Sequence, residues 1–261
     1  MDDQQVAISP HDLRQSIGAA GWPLLIDVRR SAAFDSDDSL IAGAIRRTPE
    51  NADAWRHEIG AARRVIVYCV HGREVSQGVA AVLAAAGIDA HYLEGGIAAW
   101  RELGLPTRRR IGASPGKWVT RDRPRVDRIA CPWLVRRFID PEAEFLYVPS
   151  ATVREVAART GAVPYDIAGA EFGHVGDYCS FDAFIRIFGI ADAALDRLAV
   201  IVRGADTGAP NLAPEAAGLV AISSGLSATI ADDQAMLAHG MVIYDALFAW
   251  CCTQIRAAPR S

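Results

Sequence analysis

The sequence predicts two successive folds. The first is an α/β half with a parallel sheet flanked by helices; the second is an α+β half with a mostly helical C-terminal part. Three observations carry this reading. Short aliphatic runs alternate with helical patterns through the first hundred residues, a stretch rich in Pro, Gly, Ser and Arg follows without periodicity, and from Phe181 onward the apolar spacing is almost entirely helical. Strands that alternate with helices need crossover connections, and crossovers build parallel sheets covered on both faces. A chain of 261 residues has room for two domains of ordinary size.

Taken in order, Leu24–Val28, Val65–Cys69 and Ala90–Leu93 read as buried strands, and Ser76–Ala86 reads as a helix stopped by Gly87. The stretch from Leu105 to Gly116 reads as an interdomain connection. The expected boundaries are 1–107 for the first domain, 108–117 for the linker and 118–261 for the second domain. In the second half Lys117–Arg121 and Glu144–Val148 read as strands. Pro132–Ile139 reads as a short helix ending before Asp140-Pro141, and Thr152–Thr160 as a helix closed by Gly161. Four more helices are expected over Phe181–Phe188, Ala193–Arg203, Glu215–Ser227 and Asp232–Ile255.

Composition limits the function classes. The chain is 51% hydrophobic and 22% charged, and its formal charge of −4 argues against general affinity for nucleic acid or anionic membranes. Five cysteines (Cys69, Cys131, Cys179, Cys251, Cys252) form no CxxC pair, and an odd count fits a reducing compartment. The polar, acidic stretch Met1–Gln5 lacks the features of a signal peptide. The longest apolar run, Gly240–Ile255, is interrupted by Asp245 and reads as too short to span a bilayer. A cytoplasmic location with no membrane partner is the expectation.

The most informative segment is Val65-Ile66-Val67-Tyr68-Cys69-Val70-His71-Gly72-Arg73-Glu74-Val75-Ser76. A β-branched run ends in Cys69, a short Gly-containing loop follows, and an Ala-rich helix begins behind it. Such a loop aims backbone N–H groups and a helix N-terminus at one sulfur, which favours thiolate over thiol. With Ile26-Asp27-Val28-Arg29, and with Leu93-Glu94-Gly95-Gly96-Ile97-Ala98-Ala99-Trp100 followed by Gly104-Leu105-Pro106, this segment resembles the rhodanese (sulfurtransferase) family over residues 6–107. The resemblance implies that Cys69 takes sulfane sulfur from a small donor of the thiosulfate type, holds it as a persulfide and passes it to a thiol acceptor, with no cofactor. Residues Val70, His71, Gly72, Arg73, Glu74 and Val75 would surround the sulfur. The loop amides would act as donors, Arg73 would hold the oxyanion end of the donor, and His71 would assist. Asp27 and Arg29, just past a strand, are expected to support neighbouring loops. Two features depart from the family: Leu40 and Ala42 stand where it usually has His and Pro, and Glu74 places a carboxylate where a second anion would be repelled.

From about Trp118 onward the chain resembles the C-terminal domain of the chromate-resistance protein B family. The residues that carry this are Arg125-Val126-Asp127-Arg128-Ile129-Ala130-Cys131-Pro132-Trp133-Leu134, Phe138-Ile139-Asp140-Pro141, Glu171 to Phe181, and Ile201-Val202-Arg203-Gly204-Ala205-Asp206. The resemblance implies a link to chromate tolerance and, for some members, a role as chromate-responsive regulators. The residues themselves offer two sites. Glu171 and His174, three apart, would share a helical face, and Asp206 or His239 would complete a divalent metal site; the alternative is local bonding by His174 and helix capping by Asp206. The arginines Arg121, Arg123, Arg125 and Arg128 would suit chromate or sulfate, the alternative being a strand face paired with acids such as Asp122 and Asp127. Cys131 and Cys179 are candidate redox thiols or soft ligands but, with apolar or aromatic neighbours, read as core residues, and the Cys251-Cys252 pair on an apolar helix reads as packing. The combined expectation is a sulfurtransferase coupled to a metal- or oxyanion-binding domain; its rivals are a chromate-responsive sensor and a metal-dependent enzyme of chromate or oxidative stress.

Overall fold

The computed structural model describes residues 7–17, 21–59, 64–111 and 116–257. Met1–Gln5 and residues 112–115 of the expected linker lie outside these. The chain divides into two compact units, Met1–Ile111 and Gly112–Ser261.

The first unit runs β1 (Ala7–Ile8), α1 (Pro10–Ser16), β2 (Leu24–Asp27), α2 (Ser31–Asp35), β3 (Ser39–Ile41), β4 (Ala44–Arg46), α3 (Ala52–Trp55), β5 (Val65–Tyr68), α4 (Glu74–Ala85), β6 (Ala90–Leu93), α5 (Gly96–Glu102) and β7 (Thr107–Arg109). Five strands form an all-parallel sheet in the order β1-β6-β5-β2-β4. Every residue of β2 and β5 is buried, as strands covered by helices on both faces require. Helix α1 starts where Ser9 Oγ accepts from Asp12 N at 3.1 Å and Pro10 supplies a preset φ. A separate antiparallel ribbon joins β3 to β7, with Leu40 opposite Arg108. That ribbon corrects the domain boundary: Arg108 and Arg109 belong to the first unit and not to a linker, because β7 pairs back onto β3. Lys117 likewise already belongs to a strand of the second unit.

The second unit runs β8 (Lys117–Arg121), α6 (Asp127–Leu134), β9 (Glu144–Val148), α7 (Val153–Thr160), β10 (Val163–Pro164), α8 (Ser180–Phe188), α9 (Ala193–Asp206), α10 (Glu215–Thr229) and α11 (Asp233–Ala257). Its sheet is small and parallel, in the order β10-β8-β9. The helix expected to begin at Pro132 begins five residues earlier, at Asp127, and continues past Leu134 as a π turn over Val135–Ile139. Pro132 is tolerated inside α6 because the carbonyl it cannot serve, that of Arg128, accepts from Tyr147 Oη at 3.0 Å. The unit's core is aromatic: Trp118 packs edge-on against Phe172, and Trp133 sits among Phe138, Phe181, Tyr244 and Phe248.

Helix α11 corrects a second expectation. It spans 25 residues and, among the described residues, is the one helix long and apolar enough to cross a membrane by length and composition. The helix follows the expected span Asp232–Ile255 closely, and its length passes the test that the apolar run from Gly240 alone does not. One face packs into the unit: Met236, Leu237, Gly240, Tyr244, Phe248 and Cys251 recur at helical spacing and are buried. Gly240 lets α6 approach, since a Cβ there would meet Ile129 Cγ2 at 2.2 Å. Tyr244 Oη donates to Val126 O at 3.0 Å, and Arg137 pairs with Asp245 at 2.6 Å.

Candidate functional site

Cys69 follows directly on β5, the central strand of the first sheet, at the carboxyl edge where parallel sheets place their ligand sites. Its side chain is nearly buried, and Sγ lies 3.2 Å from Ser76 Oγ. Burial pushes the thiol up, but the Ser76 hydroxyl and the backbone N–H groups of Ser76, Arg73 and His71 outweigh it and hold the thiol below its ordinary range. The loop keeps this shape by docking on a second one. Ile97 N donates to Cys69 O at 3.1 Å and Ala98 N to Val70 O at 3.0 Å. The approach is so close that a Cβ on Gly72 would sit 2.3 Å from Leu93 O, and one on Gly96 2.3 Å from Cys69 O.

The expected loop residues therefore act mainly through their backbones. Val70 supplies a carbonyl to the docked loop, Gly72 the clearance, and Val75 packs into the core of the sheet. His71, Arg73 and Glu74 are exposed at the mouth. Glu74 opens α4, where a carboxylate is favoured by the helix dipole. Ser76 is the nearest side-chain partner of the sulfur; its only signal in the sequence is a hydroxyl in the first turn behind the cysteine. Asp27 and Arg29 form a buried bidentate pair, with Arg29 Nε 2.8 Å from Asp27 Oδ2, and Arg29 reaches on to Asp37 at 2.6 Å and Ser39 O at 2.9 Å. The pair joins the end of β2 to the strand β3.

The second unit brings together a group no contiguous motif contains. His174 Nε2 lies 3.2 Å from Asp206 Oδ2, 3.3 Å from Asp166 Oδ1 and 3.5 Å from Asp127 Oδ2. Asp127 opens α6 and is fully buried; its Oδ2 accepts from Ser180 N at 2.6 Å, while its Oδ1 has no hydrogen-bond partner among the described residues. Asp166 Oδ1 accepts from Ser180 Oγ at 3.0 Å, and its Oδ2 faces Arg121 at 3.0 Å and Arg128 at 3.4 Å. The backbone is strained at Asp166, with φ at +50°, and at Val126 just before Asp127, with φ at +26°, as is common where a structure holds a site together. The surrounding carboxylates, Asp127 above all, raise His174 to about 9. Burial and the neighbouring charges of Asp127 and Asp166 raise Asp206 to about 7, and burial raises Asp127 as well. The group opens on a cleft of about 670 Å³ lined by Arg121, Arg154, Asp166 and His174.

Comparison with known proteins shows the family of the chain. The chain is 30% identical to Protein ChrB of Cupriavidus metallidurans over 253 residues, covering 95% of this chain and 72% of that protein. The family model described as ChrB, C-terminal domain, matches residues 118–251. The chain belongs to the ChrB family. Its first unit matches the rhodanese-like domain model over residues 9–103. Among solved structures, the chain is similar to a rhodanese-related protein from Thermoplasma volcanium, with 26% identity, 39% of this chain and 95% of that one covered, and a TM-score of 0.34. It is also similar to a rhodanese-like domain protein from Staphylococcus aureus, with 23% identity, 36% and 89% covered, and a TM-score of 0.33.

In this ChrB-family chain three expectations about the second unit change. Glu171 and His174 do not share a helical face, because residues 165–179 form turns and isolated bridges. Glu171 is exposed and outside the His174 group; Asp127 takes that place, and His239 is an exposed residue of α11. The arginines do not converge on one anion site. Arg123 donates to the carbonyls of Ser227, Ile230 and Ala231 at the end of α10, and Arg125 reaches Ser227 Oγ at 3.4 Å. Arg128 is held by Asp122 O at 2.7 Å and by Asp166, beside Arg121. Cys131 and Cys179 are buried, and burial drives both thiols far above the ordinary range, so neither offers a thiolate. Cys251 and Cys252 are buried as well, and burial raises Cys251 to about 12.

Proposed function

We propose that this ChrB-family protein is a sulfurtransferase whose Cys69 carries sulfane sulfur as a persulfide. The observation that supports the reading best is the convergence of the Ser76 hydroxyl and three loop amides on a nearly buried Sγ. The thiolate attacks the outer sulfur of a small thiosulfate-type donor, the S–S bond of the donor breaks, and sulfite leaves with the electron pair. An acceptor thiolate then attacks the terminal sulfur and the Cys69 thiolate is released, so no external oxidant or reductant is needed. The same donors that lower the thiol hold the negative charge of the terminal sulfur during the cycle. The exposed Arg73 and His71 at the mouth attract the donor's oxygens and offset the repulsion of the neighbouring Glu74 carboxylate.

The test is the consumption of thiosulfate by the full chain with cyanide or a dithiol as acceptor. Wild type turns over and accumulates one sulfur on Cys69, visible by intact mass, and Cys69→Ala loses both. Turnover by Cys69→Ala at the wild-type rate, or a wild-type protein that neither turns over nor takes up sulfur, sinks the reading.

A further inference from the structure

We propose that Asp127, His174 and Asp206 bind one divalent transition-metal ion, with Asp166 beside them as a fourth carboxylate. One ligand atom from each of the three lies within 4.8 Å of the others. The separations at His174 Nε2, 3.2, 3.3 and 3.5 Å to three different carboxylates, decide between an ion site and an ion pair. A charge-assisted N–H···O bond settles at about 2.7–2.9 Å, and the one proton on Nε2 points along one direction only. Three similar, longer contacts do not fit that bond. Ligand atoms held at about 2.0–2.2 Å from a shared ion, by contrast, stand roughly 3.0–3.5 Å apart along the edges of a tetrahedron or octahedron.

A second observation points the same way. Asp127 is fully buried, and among the described residues its Oδ1 has no hydrogen-bond partner, although Oδ2 is taken by Ser180 N. A buried carboxylate oxygen left unpaired is costly, and a cation in the group relieves the cost. The nearby positive charges do not fill that role, since Arg121 and Arg128 face the opposite oxygen of Asp166. The donor set also selects the ion. One imidazole nitrogen with carboxylate oxygens suits Mn²⁺, Fe²⁺ or Zn²⁺, and no cysteine sulfur belongs to the group. His174 is exposed on the cleft that also contains Arg121 and Arg154, which gives the ion an entry path and leaves coordination positions for water.

The experiment uses the full chain, stripped with a chelator and titrated with Mn²⁺, which thiols bind poorly; bound metal is counted by elemental analysis and by the loss of free Mn²⁺ electron resonance. Wild type takes up about one equivalent per chain. His174→Gln and Asp206→Asn alter side chains with solvent access, keep the fold by circular dichroism, and weaken binding by at least about 10–100-fold. Glu171→Gln and His239→Gln bind as wild type. The proposal is overturned by a wild type that binds neither Mn²⁺ nor Zn²⁺, by wild-type affinity in His174→Gln or Asp206→Asn, or by loss of binding in Glu171→Gln. Cys69→Ala retains the ion, so failure here is separable from failure of sulfur transfer.

Discussion

The Cys69 loop and the His174 group are built in opposite ways. The first is nearly contiguous: residues 69–76 form the cradle and residues 95–98 brace it, and most of its donors are main-chain amides. The second draws single side chains from positions 127, 166, 174 and 206, each supplied by a different element or turn. A cradle of amides depends on the path of the chain and tolerates change in most side chains. A cluster of side chains tolerates little at its ligands, but its strength is spread across helices that the aromatic core already fixes in place.

The largest effect that would break this contrast is a methyl group in the cradle. Gly72→Ala places a Cβ against Leu93 O at a residue with φ of +66°. It should cost about 3 kcal/mol in chemical denaturation of the first unit and about a hundredfold in sulfur transfer. Gly78→Ala, in α4 with open space around it, is the control and should be neutral or stabilising by roughly 0.5–1 kcal/mol. Equal effects at the two glycines would mean that the docked loops do not shape the site.

Ser76→Ala sharpens the comparison at intermediate size, because it removes the one side-chain donor from an otherwise main-chain cradle. The thiolate fraction grows as pH rises through the thiol's pKa, so losing a donor moves the inflection of the rate profile to higher pH. The rate should fall about tenfold on the acid limb, the worth of one hydrogen bond to a charged group, and converge with wild type at high pH. A uniform loss at all pH values would point to misplacement of the sulfur instead of a change in its ionisation.

The smallest effect is expected at Arg123. Its guanidinium serves the last carbonyls of α10, so Arg123→Ala should cost about 1 kcal/mol of second-unit stability and leave Mn²⁺ binding untouched. Sulfate or chromate binding that disappears in this variant would restore the oxyanion reading of the arginine cluster.

Much of the fold was legible in the chain. The runs Leu24–Asp27, Val65–Tyr68, Ala90–Leu93, Lys117–Arg121 and Glu144–Val148 are strands, and Gly161 closes α7 in the left-handed conformation that favours glycine. What escaped were the pieces with weak local signal. β7 is a strand made of Thr and two Arg, which only its pairing with β3 explains. The start of α6 lies upstream of a proline that should have opened it, and two tyrosines distant in sequence make that proline tolerable. The Cys69 cradle was readable because its parts are consecutive. Of the His174 group the sequence shows His174 and Asp206 but not Asp127 or Asp166, and a helical period points to Glu171 in a segment that is not helical.

By itself, then, the sequence determined the two units, the place of Cys69 at a strand end and the loop that surrounds it, since strand, turn and helix propensities act between neighbours. Only the tertiary structure decided which acids face His174 and which arginines are already occupied. Those choices depend on the packing of α6, α8 and α9 around an aromatic core, and no spacing along the chain encodes the distance between residues brought together in that way.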